Sequence, residues 1–261
     1  MRTSRRTFLK ASLGTGLALC FPPFLIPRSY AKTDGKVKEF RFHASKSRVN
    51  LGVGSDFWAW TYNGQVPGPE IRVKERDIIR VVLKNYLSEE TSIHWHGIPV
   101  PNAMDGVPGI TQKGVMPGET FVYEFEAKPA GTYIYHSHAG YQLDQGLYGP
   151  LIIEPFKETD SYDCEYTLLL EDWVMKDNGG VADTARRPAM GMMHGMMGRQ
   201  RALWQAEEPL LEPIYDSYAI NGKVYPAMES LRVRKGDKVK LRLANSSSTT
   251  IYDLRLAGPP G

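Results

Sequence analysis

Asn63-Gly64, followed by Ile71-Arg72-Val73-Lys74 and then Asn85, returns as Asn221-Gly222, followed by Leu231-Arg232-Val233-Arg234 and then Asn245. The interval is about 160 residues, the spacing of two domains rather than of a stacked solenoid unit. The repeated unit reads as β-structure. Over Glu70–Leu83, Ile71, Val73, Ile79, Val81 and Leu83 recur at spacing two, which predicts a strand. Over Thr120–Glu126, Phe121, Tyr123 and Phe125 fall on one face, with Val122 and Glu124 on the other. Neither run has a helical period, and the 25 glycines and 18 prolines punctuate short alternating runs. The expected fold is all-β: two tandem copies of one sandwich or barrel unit.

The first unit is expected over residues 36–155 and the second over 162–261. The repeat recurs only about forty residues before Gly261, too little chain for the closing strands of a sandwich of roughly 100 residues. The second domain is therefore expected to be incomplete and the chain to be a truncated N-terminal part.

Ser4-Arg5-Arg6-Thr7-Phe8-Leu9-Lys10 precedes a moderately apolar stretch that Pro22-Pro23 interrupts. This resembles a twin-arginine export signal, and the apolar stretch is too short to span a bilayer. Ser29-Tyr30-Ala31 offers small residues for cleavage, so residues 1–31 are expected to be a signal peptide read by the twin-arginine (Tat) export machinery. The mature chain would start at Lys32 in a bacterial periplasm, without a stable membrane anchor. Arg2, Arg5, Arg6, Lys10 and Arg28 leave with the signal and no acidic residue does, so the formal charge falls by five, from +3 to −2. A nearly neutral mature surface gives no electrostatic case for nucleic acid or anionic lipid. Of the two cysteines only Cys164 remains, which precludes a disulfide within the mature chain; it is a buried thiol or lacks its partner.

His94-Trp95-His96 and His136-Ser137-His138 hold four of the six histidines. In a strand, residues i and i+2 share a face, so both imidazoles of a pair can approach one metal or bridge two. Imidazole suits copper, iron, nickel and zinc alike, so ligand type alone leaves the metal open. Two such pairs about forty residues apart, with strands between them, favour a metal cluster over chance surface histidines.

Four motifs in order narrow the choice: Thr91-Ser92-Ile93-His94-Trp95-His96-Gly97-Ile98, Met104-Asp105-Gly106-Val107-Pro108-Gly109, Gly131-Thr132-Tyr133-Ile134-Tyr135-His136-Ser137-His138 and Gly146-Leu147-Tyr148-Gly149-Pro150-Leu151. Together they resemble the first domain of the multicopper oxidases, most of all the bacterial laccase-like and copper-resistance enzymes of the periplasm. The resemblance implies tandem cupredoxin-like Greek-key β-sandwich domains. It implies a reaction in which dioxygen is reduced to water by four electrons while Cu(I) or a phenolic reductant is oxidised. Carried over, His94 is a type 2 copper ligand, His96, His136 and His138 are type 3 ligands, and Asp105 delivers protons as a general acid; as a residue type, Asp105 is equally suited to the turn before Gly106.

Three departures bound that reading. Serine at 137 cannot supply the thiolate that a blue (type 1) copper needs. Leu254 and Leu256 stand in the second copy where His94 and His96 stand in the first. The family's remaining cluster histidines and its type 1 ligands belong to a C-terminal domain not found in this sequence, so the type 1 site is expected to be absent from the chain and the fragment alone to be inactive. Between the copies, Met190-Gly191-Met192-Met193-His194-Gly195-Met196-Met197 holds five of the ten methionines. Thioethers favour Cu(I), so Met192, Met193, His194, Met196 and Met197 read either as a cuprous-ion loop or as adaptable apolar packing. A periplasmic copper-sequestering protein without oxidase activity is the alternative reading; a structural protein that has lost its metals fits less well, since all four histidines remain.

Overall fold

The computed structural model describes residues 35–158, 160–176, 180–181 and 215–255; the expected signal, the methionine-rich stretch and Leu256 lie outside them. The described residues belong to one compact unit, Asp34–Gly261. Eight strands come first: β1 (Val37–Val49), β2 (Phe57–Tyr62), β3 (Ile71–Lys74), β4 (Ile78–Asn85), β5 (His94–His96), β6 (Thr120–Glu126), β7 (Gly131–His136) and β8 (Tyr148–Glu154), with a 3-10 turn at Asn102–Met104. They form two four-stranded sheets, β2-β1-β4-β6 and β3-β8-β7-β5. The inward residues of both sheets, among them Phe42, Val81, Leu83, Trp95, Tyr123, Phe125 and Tyr135, make one core. This is the cupredoxin-like Greek-key sandwich that the resemblance implied.

The predicted run Thr120–Glu126 is β6, with Tyr123 and Phe125 buried. The run Glu70–Leu83, expected as one strand, is two strands in different sheets. Arg76 takes a left-handed conformation (φ 78°), and Asp77 Oδ2 accepts from the Lys74 amide at 3.1 Å. That turn carries the chain from one sheet to the other.

β9 (Cys164–Trp173), β10 (Met175–Lys176), β11 (Gly180–Val181), β12 (Ser217–Ile220), β13 (Lys223–Val224) and β14 (Val239–Asn245) follow. Four of them form the sheet β13-β12-β9-β14, in which β14 runs parallel to β9 as β4 runs parallel to β1. The repeat is structural down to single bonds. Asn63 accepts from the His43 amide and donates to Arg41 O; Asn221 accepts from the Leu169 amide and donates to Thr167 O. Both asparagines sit at positive φ before a glycine, where their short polar side chain makes the left-handed turn tolerable.

The copies differ in what covers them. In the first, Val81 and Leu83 of β4 are fully buried; in the second, Leu241 and Leu243 of β14 are 43% and 49% exposed. Leu231–Arg234, the counterpart of β3, is irregular, and no strand among the described residues pairs with it as β8 pairs with β3. Among the described residues the second sandwich is therefore incomplete. Its other face packs on the first unit: Leu169, Trp173, Ala219 and Ala244 form a second core with Leu51, Phe57, Ala59 and Tyr148. Cys164 opens β9 as a free, half-buried thiol. Among the described residues no helix is long and apolar enough to cross a membrane.

Candidate metal centre

β5 and β7 are antiparallel neighbours with His94 opposite His136. Period two turns His94 and His96 to one side of the sheet and Trp95 to the other, where Trp95 is fully buried against Tyr123, Phe125 and Tyr135. The aromatic anchor thus fixes the register that presents the two histidines. One ring nitrogen from each of His94, His96 and His136 lies within 4.8 Å of the other two. His138 joins the cluster with its ring 5.4 Å from that of His94 and nearly parallel to that of His136 at 6.1 Å. All four predicted histidines are brought together.

Two backbone carbonyls set which nitrogen faces the centre. His94 Nδ1 lies 2.7 Å from Asp105 O, and His136 Nδ1 lies 2.7 Å from Ser137 O. A carbonyl only accepts, so each Nδ1 carries the proton and each Nε2 keeps a lone pair for a cation. His96 Nδ1 and His136 Nε2 approach to 3.2 Å, two donor atoms converging on one space. Burial, opposed by the Ser137 carbonyl and reinforced by the neighbouring histidines, lowers the His136 pKa to about 4. Burial likewise lowers that of His96, again with help from its neighbours. At neutral pH both rings are therefore neutral imidazoles, the form that binds metal.

Asp105 reaches the cluster through its backbone first. It ends the 3-10 turn that follows β5, and its carboxylate Oδ1 lies 3.4 Å from His94 Nδ1. The next residue explains the close approach: a Cβ on Gly106 would lie 1.8 Å from Ile93 O, and its φ is +81°. Only glycine lets the loop return this near to β5. The methionine-rich residues Met192, Met193, His194, Met196 and Met197 lie outside the described residues.

His96, His136 and His138 open into a cleft of about 450 Å³ whose far side is Asn245–Ser248, at the end of β14. Asp144 also lines it and accepts from the Tyr215 hydroxyl at 2.6 Å. Sequence reasoning missed these residues and the two orienting carbonyls. Only for Asn245 was there a signal, its place in the repeat opposite Asn85.

The profile of the multicopper oxidase family matches residues 43–158, which include every one of these histidines. A copper resistance protein A homolog from Pseudomonas syringae pv. tomato is 33% identical, over 98% of this chain and 48% of its own length. The chain belongs to the multicopper oxidase family. It corresponds to the N-terminal region of that family. Multicopper oxidase MmcO of Mycobacterium tuberculosis is 31% identical over 98% of this chain and 55% of its own. The crystal structure of a multicopper oxidase from Pseudomonas thermotolerans superposes with a TM-score of 0.65 at 32% identity, over 83% of this chain and 48% of that one. The chain spans about half the length of the curated relatives it matches. The family binds copper, and the donor set suits it: ring nitrogens of His94, His96 and His136 converge within 4.8 Å of one another, with the tautomers of His94 and His136 fixed by backbone carbonyls.

Proposed function

We propose that this chain is the N-terminal part of a periplasmic enzyme that oxidises Cu(I) or a phenolic reductant and reduces dioxygen to water by four electrons, in copper tolerance. The observation that carries the reading is the convergence of His94, His96 and His136 within 4.8 Å, with His138 beside them. In this reading residues 36–155 are a domain holding half of a copper cluster and 162–261 a partial second domain. His94 is a type 2 ligand and His96, His136 and His138 are type 3 ligands; bound copper would supply the one-electron steps. Asp105 orients His94 through its carbonyl, while its carboxylate, 3.4 Å from the ring, moves protons as a general acid. The type 1 ligands belong to a C-terminal part. Residues 1–31 direct export through the twin-arginine (Tat) machinery, and residues 190–197 gather cuprous ion through Met192, Met193, His194, Met196 and Met197.

The test measures copper stoichiometry, electron paramagnetic resonance and oxygen uptake with Cu(I) or a phenol, for the full gene product and its His136→Ala variant. Uptake that His136→Ala abolishes supports the oxidase. Copper bound at the histidines without oxygen uptake supports instead a sequestering protein, the reading that the exposed His96 and His138 favour.

A further inference from the structure

The β5–β7 ladder ends at the His94↔His136 pair. Beyond it the two chains, Glu89–Ile93 and Ser137–Ala139, carry the metal site with no further ladder pairing to hold them in register. The buried side chain of Gln142 bridges them. Gln142 is 2% exposed, and its Oε1 accepts from the Ser137 hydroxyl at 2.7 Å and from the Thr91 hydroxyl at 2.7 Å. Its Nε2 donates to Glu90 O at 2.7 Å and to Glu89 Oε1 at 3.2 Å. A carboxamide has two acceptor and two donor sites, and all four are used. The amide cannot be turned over, since its oxygen would then meet the Glu90 carbonyl.

We propose that Gln142 is a positioning residue for the copper site: it sets the distance between the segment that leads into His94 and the turn that carries His136 and His138. The proposal rests on the reading of these histidines as copper ligands. Ser137, which lies between His136 and His138, is held on three sides: its hydroxyl donates to Gln142, accepts from the Ala139 amide at 3.2 Å, and lies 3.4 Å from Thr91 Oγ1. The His138 amide donates to Ser92 Oγ at 3.3 Å. The backbone of Gln142 closes the same loop, its amide donating to Ala139 O and its carbonyl accepting from the Leu147 amide. Moving Gln142 therefore moves Ser137, whose carbonyl also fixes the tautomer of His136. Such outer partners of ligating residues change metal affinity by about 10- to 100-fold when removed. A leucine of similar volume would fill the space but hold neither segment.

The experiment compares Gln142→Leu, Ser137→Ala, Ile79→Val and the unaltered chain, reading Cu(II) affinity by competition titration, the copper hyperfine splitting by electron paramagnetic resonance, and thermal stability. Ile79→Val, in the core away from the site, reports what destabilisation alone does. The expected result is a Cu(II) affinity about 10- to 100-fold weaker and an altered hyperfine splitting for Gln142→Leu, a smaller change in the same direction for Ser137→Ala, and neither for Ile79→Val. Because the two side chains share one bond, the double variant Gln142→Leu/Ser137→Ala should lose less than the sum of the singles. If Gln142→Leu does not fold, Ser137→Ala and Thr91→Val decide by the same two readouts. Unchanged affinity and splitting in the folded variants overturn the proposal and leave the copper reading standing. If the unaltered chain binds no Cu(II), or binds it undiminished in His94→Ala and His136→Ala, the copper reading fails and the proposal with it.

Discussion

Glu165→Gln tests what joins the two β units. Glu165 Oε1 accepts from Arg72 at 2.7 Å and from Arg242 Nε at 2.8 Å, and Oε2 accepts from Arg242 at 3.2 Å. Arg242 also donates to Thr132, so the cluster ties β9 and β14 to β3 and β7. The Arg242 and Glu165 side chains are only 7% and 11% exposed, too buried for water to replace a lost partner. Burial alone raises the Glu165 pKa, but hydrogen bonds from Arg242, Arg72 and Tyr162 outweigh it and bring it from 4.5 to about 2. That difference amounts to about 3 kcal/mol of stability at neutral pH, at the low end of the 3–5 kcal/mol expected when a buried pair loses one member. For a chain of this size Glu165→Gln should lower the melting temperature by about 6–12 °C at pH 7. The carboxylate's contribution is complete above its unfolded pKa of about 4.5 and disappears as pH falls toward 2. The gap between the unaltered chain and Glu165→Gln, followed by circular dichroism during thermal unfolding, should therefore close across that window. A loss below about 1 kcal/mol, or a gap that stays constant from pH 7 to pH 2.5, would refute the reasoning: Arg242 would then be solvated well enough to need no carboxylate.

Gly106→Ala should cost several kcal/mol and weaken copper binding, because the Asp105 carbonyl can no longer sit against His94; equilibrium denaturation and copper titration read the two effects, and intact copper binding in the folded variant would count against this role of the loop. Glu171 accepts from the Gly222 amide at 2.9 Å, yet burial, only partly opposed by its hydrogen bonds, raises its pKa to about 7. The folded state thus prefers the neutral acid, and stability is lost as pH rises from about 4.5 through 7. Glu171→Gln should match the unaltered chain at pH 4 and exceed it by up to about 3 kcal/mol at pH 8, whereas an offset independent of pH would sink the assignment. Leu83→Ala should cost about 2–5 kcal/mol, while Leu243→Ala, its counterpart in the repeat, should cost less than about 0.5 kcal/mol because Leu243 is 49% exposed; equal losses in urea titrations would mean that the second sheet face is covered after all.

Much of the site was legible before any coordinates. The His-x-His pairs and the faces of β6 follow from the period of two in a strand, a local property that any alternating run displays. The repeat also announced itself locally, since Asn63 and Asn221 each satisfy a turn within their own unit. Where the chain had to choose a partner, the sequence was silent. Over Glu70–Leu83, Ile71, Val73, Ile79, Val81 and Leu83 keep one parity across the polar run Lys74–Asp77, yet Arg76 and Asp77 turn the chain from one sheet into the other, and a period of two carries no information about which sheet a residue joins.

The contacts between residues 51 to 110 positions apart are a tertiary matter. Nothing in a glutamine's type or spacing marks Gln142 as the bridge between Ser137 and Thr91, and nothing marks Arg242 as the partner of Thr132 and Glu165. The same holds for the tautomers of His94 and His136. The sequence by itself determined that two pairs of imidazoles, His94 with His96 and His136 with His138, would each stand at the end of a strand in an all-β fold. Only the folded chain decided which nitrogen of His94 and of His136 faces the centre, because that depends on a carbonyl held at 2.7 Å, of Asp105 brought back by a loop in the first case and of the adjacent Ser137 in the second, and such hydrogen bonds are set by packing rather than by pattern.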